Sequence, residues 1–62
     1  MRHSESTYVN LGYRFEKSKD PEKSRIIMWD IRSKIAQEDT PEDKAEALRL
    51  VQRGRQEANT GK

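Results

Sequence analysis

The 62-residue chain contains no cysteine and only one histidine, His3. The absence of cysteine excludes disulfide bonds, and a lone histidine without cysteine leaves no ordinary zinc site. Small domains usually gain stability from disulfides, from a metal ion or from oligomerisation. Because the first two are missing, the sequence predicts a protein without a cofactor or a metal that associates with a second copy or with a partner.

Long apolar runs are missing as well. No segment approaches the roughly 20 apolar residues that a membrane-spanning helix needs. The first ten residues, MRHSESTYVN, lack the apolar stretch of a signal peptide. We therefore expect a cytoplasmic protein that makes no contact with a membrane.

Catalytic patterns are absent too. The serines have no histidine partner outside the N-terminal segment, and the acidic residues lack the spacing and the glycine of a calcium loop. So short a chain has too little mass to enclose the dry cleft that a general acid or base requires, and the three glycines form no phosphate-binding loop. The sequence therefore predicts no catalytic residue and a protein that is not an enzyme.

Charged residues, in contrast, are abundant and unevenly distributed. Thirteen basic and eleven acidic residues give a net charge of +2. The segment from Gln37 to Glu46 carries five acidic side chains and one lysine, so the rest of the chain is basic. This pattern indicates either an ordinary solvated surface or a basic face for nucleic acid, with an acidic corner kept away from it.

Residues 7–15, TYVNLGYRF, alternate in the way that is typical of a β-strand. The face predicted to be buried holds Val9, Leu11, Tyr13 and Phe15. The exposed face holds Tyr8, Asn10, Gly12 and Arg14. A hairpin turning at NLG and an unstructured tail are the alternatives. We expect residues 1–6 and 57–62 to be disordered, so that a single domain covers residues 7–56.

Two helices are predicted after the strand. Asp20 can cap a helix that begins at Pro21 and covers residues 21–37. Thr40 can cap a second helix that begins at Pro41 and covers residues 41–56.

The first of these helices has apolar residues on two sides. Ile27, Ile31 and Ile35 are spaced by four residues and form one face. Trp29 lies on nearly the opposite side. Trp29 is therefore predicted either to pack against the N-terminal segment of its own chain or to form part of an interface with a partner.

One strand followed by two helices resembles the ribbon-helix-helix family of bacterial and phage DNA-binding proteins. The resemblance covers the order of the elements. It implies that two copies pair their strands into an antiparallel ribbon, which fits the major groove of B-DNA. The expected fold is thus mainly α, with a short N-terminal strand and a two-helix hairpin in a ribbon-helix-helix-like dimer. The implied function is that of a homodimeric DNA-binding regulator of transcription, of phage or plasmid type.

The resemblance also implies which residues touch DNA. Side chains on the outer face of the ribbon would contact bases: Tyr8, Asn10 and Arg14. Basic side chains elsewhere would contact phosphates: Arg2, Lys17, Lys19, Arg49 and Arg53.

A second hypothesis belongs to a different functional class. A helical hairpin could present Trp29, with Arg25 and Arg32 around it, to a host or partner protein. Tryptophan and arginine are the residues most enriched at interface hot spots. The chain would then be a small interaction module or an inhibitor. RNA binding is a lesser alternative, because the sequence shows no exposed aromatic pair for base stacking.

Overall fold

The computed structural model describes residues 1–60, which form three helices. These are α1 (Glu5–Lys17), α2 (Pro21–Ala36) and α3 (Pro41–Thr60). Each helix begins at a side chain that accepts a backbone N–H of its first turn. Ser4 accepts from Thr7, Asp20 from Glu22, and Thr40 from Asp43. These bonds satisfy donors that the helix itself leaves unpaired.

The strand predicted over residues 7–15 is wrong, because these residues lie inside α1 and residues 1–60 contain no strand. The ribbon-helix-helix fold is therefore wrong as well. The residues of TYVNLGYRF that alternate with a period of two also fit the period of an α-helix, and the segment forms a helix. Tyr8, Leu11 and Gly12 are buried on one face of α1, at the i, i+3 and i+4 spacing of an amphipathic helix.

The two helices predicted at residues 21–37 and 41–56 correspond to α2 and α3. The first ends at Ala36, and the second continues past Gly54 to Thr60. Parts of the two segments expected to be disordered lie within helices. Residues 57–60 belong to α3, and Glu5 and Ser6 begin α1. The remainder of the expected C-terminal tail, residues 61–62, lies outside the described residues.

Contacts between the helices show which of their ends lie close together. At one end of the molecule the N-terminal amine lies 3.8 Å from the Asp43 carboxylate. At the other end the Arg55 guanidinium donates to the Glu16 carboxylate at 2.9 Å. The Tyr8 hydroxyl, near the start of α1, donates to the carbonyl of Lys34, near the end of α2, at 3.2 Å.

The backbones of α1 and α3 touch at two glycines. A Cβ atom added at Gly12 would lie 2.0 Å from the Val51 carbonyl oxygen, and one added at Gly54 would lie 2.0 Å from the Val9 carbonyl oxygen. No side chain fits at such distances. This explains why glycine, a poor helix former, stands inside both helices. The close approach lets Leu11, Leu50 and other apolar side chains fill the core around it: Tyr8, Ile31, Ala47 and Val51.

The turn between α2 and α3 contains a buried carboxylate, that of Glu38. The Glu38 side chain is only 3% exposed. Its carboxylate accepts a hydrogen bond from the hydroxyl of Tyr8. It also accepts the backbone N–H groups of Arg2, at 2.8 Å, and His3, at 3.4 Å. One side chain thus joins the N-terminal segment, α1 and the α2–α3 turn.

These bonds shift the pKa of both partners. The hydrogen bond from Tyr8 lowers the pKa of Glu38 below its ordinary value, and burial opposes this shift in part. Burial, followed by the bond to Glu38, raises the pKa of Tyr8 above its ordinary value. A lowered carboxyl pKa stabilises the fold above the ordinary pKa, and this stabilisation disappears as the pH falls through the lowered pKa. A raised tyrosine pKa acts in the other sense: its stabilisation is present below the ordinary tyrosine pKa and is lost as the pH rises through the raised one.

We predict that Gly12→Ala and Gly54→Ala each lower the free energy of unfolding by about 2 kcal/mol or more, because the added methyl forces the two helices apart. This loss exceeds the roughly 0.5–1 kcal/mol that alanine gains over glycine within a helix. Urea titration followed by helical circular dichroism measures the change. The control is Asn10→Ala, on the exposed face of α1, which we expect to be neutral or slightly stabilising. An unchanged or higher stability of both glycine variants would contradict the close contact.

We also predict that the urea midpoint of the wild type falls as the pH is lowered below the ordinary glutamate pKa of 4.5. Glu38→Gln should be less stable at neutral pH and show a shallower fall in acid, because it lacks the carboxylate whose protonation breaks the bonds. Glu42→Gln, at an exposed position of α3, is the matched control and should keep the wild-type profile. Parallel profiles for wild type and Glu38→Gln would show that another carboxylate controls acid unfolding.

Candidate functional site

The outer face of α2 carries the two most exposed large apolar side chains among residues 1–60. Trp29 is 71% exposed and Ile26 is 64% exposed. Their i, i+3 spacing makes them neighbours on the helix surface. The inner face of α2 points to the core through Ile31, which is buried, and through the partly buried Ile27 and Ile35. A helix with only one covered face therefore leaves the tryptophan in solvent.

Two arginines stand on either side of the indole along the helix. Arg25 lies one turn before Trp29 and Arg32 nearly one turn after it. Neither guanidinium has a carboxylate within salt-bridge distance among residues 1–60. A shallow depression at this place, here named the Trp29 surface, is lined by Arg25, Ile26, Met28, Trp29 and Arg32. All three residues predicted for a protein interface thus lie on one surface.

Trp29 does not pack against the N-terminal segment, which was one of the two interpretations of its position. The N-terminal segment instead forms α1, whose apolar residues pack against α3 through Gly12 and Leu11. No part of α1 is left to cover the outer face of α2. The exposure of Trp29 follows from this choice of packing partner.

Of the three residues predicted to contact DNA bases, only Asn10 and Arg14 share an exposed surface, because they lie four residues apart on α1. Tyr8 is 0% exposed, and its hydroxyl is engaged by Glu38 and Lys34. Asn10 and Arg14 are exposed on α1. Residues 1–60 form no ribbon, so the ribbon that was predicted to present these side chains to the major groove is wrong.

The residues predicted to contact phosphates are also dispersed. Arg2 pairs with the Asp39 carboxylate at 3.5 Å, Arg49 pairs with that of Glu46, and Arg53 pairs with that of Glu57 at 3.4 Å. Lys17 and Lys19 lie elsewhere, where α1 ends and the chain enters α2. Binding of DNA and formation of a homodimer stay predictions, without the ribbon from which they were derived.

Sequence reasoning missed two members of the Trp29 surface, Ile26 and Met28. The signal was present, because Ile26 precedes Trp29 by three residues and lies off the isoleucine face of the helix. The sequence analysis also missed the role of Glu38, which joins the N-terminal segment, α1 and the α2–α3 turn. An acidic cluster next to a helix start is indistinguishable, in the sequence, from ordinary helix-capping residues.

Comparison of the chain with protein-family models, with curated proteins and with solved structures finds no match. Within residues 1–60 no helix is long and apolar enough to cross a membrane. The same residues contain no group of three or more acidic or histidine side chains that could hold a metal ion.

We predict that Trp29→Ala changes the free energy of unfolding by less than about 0.5 kcal/mol, because the indole is already in water. Ile31→Ala, which truncates the buried side chain two residues further on, should cost about 2–5 kcal/mol. Urea titration by circular dichroism gives both values. A loss of comparable size in the two variants would mean that Trp29 packs against the rest of the chain.

Proposed function

We propose that this protein is a small helical interaction module that binds a partner protein through the Trp29 surface. The observation that carries the proposal is the pair of exposed apolar side chains, Trp29 and Ile26, set beside two arginines that have no ion pair among residues 1–60. A small chain with few large apolar residues leaves its only tryptophan out of the core.

The composition of this surface suits an interface hot spot. Burying a large apolar side chain in an interface contributes roughly 1.5–3 kcal/mol, and tryptophan and arginine are strongly enriched among residues that dominate binding energies. Ile26 and Met28 can complete the apolar centre, while Arg25 and Arg32 form a charged rim. Apolar centre and polar rim are the usual anatomy of a protein interface.

The charges of the rim define the partner. An arginine guanidinium binds a carboxylate through two parallel hydrogen bonds, so the complementary surface has an apolar cleft flanked by aspartate or glutamate. A second copy of this chain does not fit that description well. Two α2 helices crossing antiparallel at Trp29 would place Arg25 of one copy beside Arg32 of the other. The proposal therefore commits to a different protein as the partner.

The test begins with parallel enrichment on immobilised wild type, Trp29→Ala and Leu48→Ala, from extracts of the cells that carry this chain. Leu48 is 48% exposed on α3, so its variant removes a comparable exposed apolar side chain elsewhere. Proteins retained by wild type and Leu48→Ala, but not by Trp29→Ala, are identified by mass spectrometry, purified and titrated by calorimetry.

We expect the purified partner to bind Trp29→Ala at least about 30-fold more weakly than wild type, as a hot-spot residue requires. Arg25→Gln and Arg32→Gln should weaken binding and reduce its salt dependence. Equal affinity of wild type and Trp29→Ala would refute the proposal, as would a stable homodimer, measured by light scattering, that dissociates on Trp29→Ala.

A further inference from the structure

We infer a second binding site, at the corner between α1 and α2, for the phosphate backbone of a single-stranded nucleic acid. An open groove at this corner, here named the basic groove, gathers four positively charged side chains. It is lined by Tyr13, Arg14, Lys17, Ser18, Lys19, Asp20, Lys23 and Ile27. Nothing in the Trp29 surface contributes to it.

The fold concentrates positive charge here because one helix ends where the next begins. Arg14 and Lys17 lie in the last turn of α1, Lys19 lies in the connection, and Lys23 lies in the first turn of α2. None of these four side chains has a carboxylate within salt-bridge distance among residues 1–60.

Two acidic side chains, Asp20 in the groove and the exposed Glu22 beside it, offset part of its positive charge, but the four basic side chains outnumber them. The Asp20 carboxylate accepts the backbone N–H of Glu22 at 3.0 Å and caps α2. Glu16, on the preceding helix, is held by Arg55 at 2.9 Å. Both carboxylates are engaged by structural bonds of their own. Four cationic groups therefore remain available to a polyanion, for which phosphate contacts provide affinity by releasing counterions.

An aromatic ring in the groove indicates which polyanion fits. Tyr13 is 40% exposed and lies among the basic side chains. The Lys17 ammonium lies 5.6 Å from the centre of its ring, on a flexible side chain that can move aside for a base. A basic groove that follows the backbone, with an aromatic ring on which a base stacks, is the usual combination in proteins that bind single strands. A duplex keeps its bases stacked on each other and gains nothing from the ring.

The basic groove is separate from the Trp29 surface, although both use α2. Lys23 and Ile27, four residues apart, lie on one flank of the helix, and Arg25 and Arg32, seven residues apart, lie on the other. The inference therefore does not depend on the proposed partner protein, and each surface can be altered without changing the other.

The test measures fluorescence anisotropy of three labelled probes at low salt: a short oligothymidine, a duplex of the same length, and a polyglutamate peptide. Two double variants remove equal charge. Lys19→Gln with Lys23→Gln removes two of the four positive charges of the basic groove, while Arg49→Gln with Arg53→Gln removes two ion-paired arginines from α3. Circular dichroism confirms that each variant is folded.

We expect the groove variant to bind oligothymidine at least about tenfold more weakly and to show a salt dependence smaller by about 1.4 in the logarithmic slope. The α3 variant should stay within about twofold of wild type. Equal losses from both double variants would overturn the inference, because binding would then follow net charge and not the groove.

Tyr13→Ala separates stacking from charge. It should weaken oligothymidine binding at least about fivefold, the effect of losing one base–aromatic stack, and leave duplex binding unchanged. Three results would overturn the inference: no binding of oligothymidine by the wild type at low salt, tighter binding of the polyglutamate peptide, which would indicate an acidic protein segment as the ligand, or an unchanged single-strand affinity in folded Tyr13→Ala.

Discussion

The contact between the backbones of α1 and α3 at Gly12 and Gly54 is the constraint from which the exposed surface follows. Because each glycine admits the carbonyl of the facing helix, the two helices close tightly and share almost the whole core. The apolar face of α1 packs against α3 in this contact. α2 then lies across the pair with only Ile31 fully buried, and Trp29 on its other side has nothing to cover it. The same packing that makes so small a chain cohesive also leaves an apolar surface for a partner.

The buried Glu38 determines how charge is arranged over this frame. It holds the N-terminal segment, Tyr8 and the α2–α3 turn together, so the start of α1, the end of α2 and the start of α3 meet at one end of the molecule. The acidic residues around the start of α3 are gathered there. The end of α1 and the start of α2, with their lysines, are necessarily at the opposite end. The acidic end is partly compensated, because Arg2 pairs with Asp39 and the N-terminal amine with Asp43, whereas the lysines at the other end have no ion pair among residues 1–60.

The sequence allowed α2 and α3 to be predicted because their starts are encoded locally, by Asp20 before Pro21 and Thr40 before Pro41. α1 could not be predicted in the same way. TYVNLGYRF fits a period of two and a helical period equally well, and Gly12 within it suggests a strand or a turn more than a helix. Ser4 caps α1 locally, and the helix packs against α3 where Gly54, about forty residues away, admits the Val9 carbonyl. A contact between distant residues of this kind leaves no local signal.

The Trp29 surface could be predicted in part, because helical spacing alone places Arg25 and Arg32 beside Trp29. Tyr13, in contrast, was assigned to the buried face of a strand that the structure does not contain.

The Trp29 surface lies entirely on α2, and the basic groove lies between α1 and α2, with Lys23 and Ile27 as its part of α2. α2 is also the least buried of the three helices in the core. α1 and α3 hold each other through backbone contact and several buried side chains, whereas α2 is attached by one fully buried isoleucine and its partly buried neighbours. Elements with few buried contacts are the first to open locally. A ligand in the basic groove contacts both α1 and α2, so it stabilises the docked state of α2 by mass action. The Trp29 surface, in contrast, consists of α2 residues alone, so a partner bound there contacts the same side chains however α2 is docked.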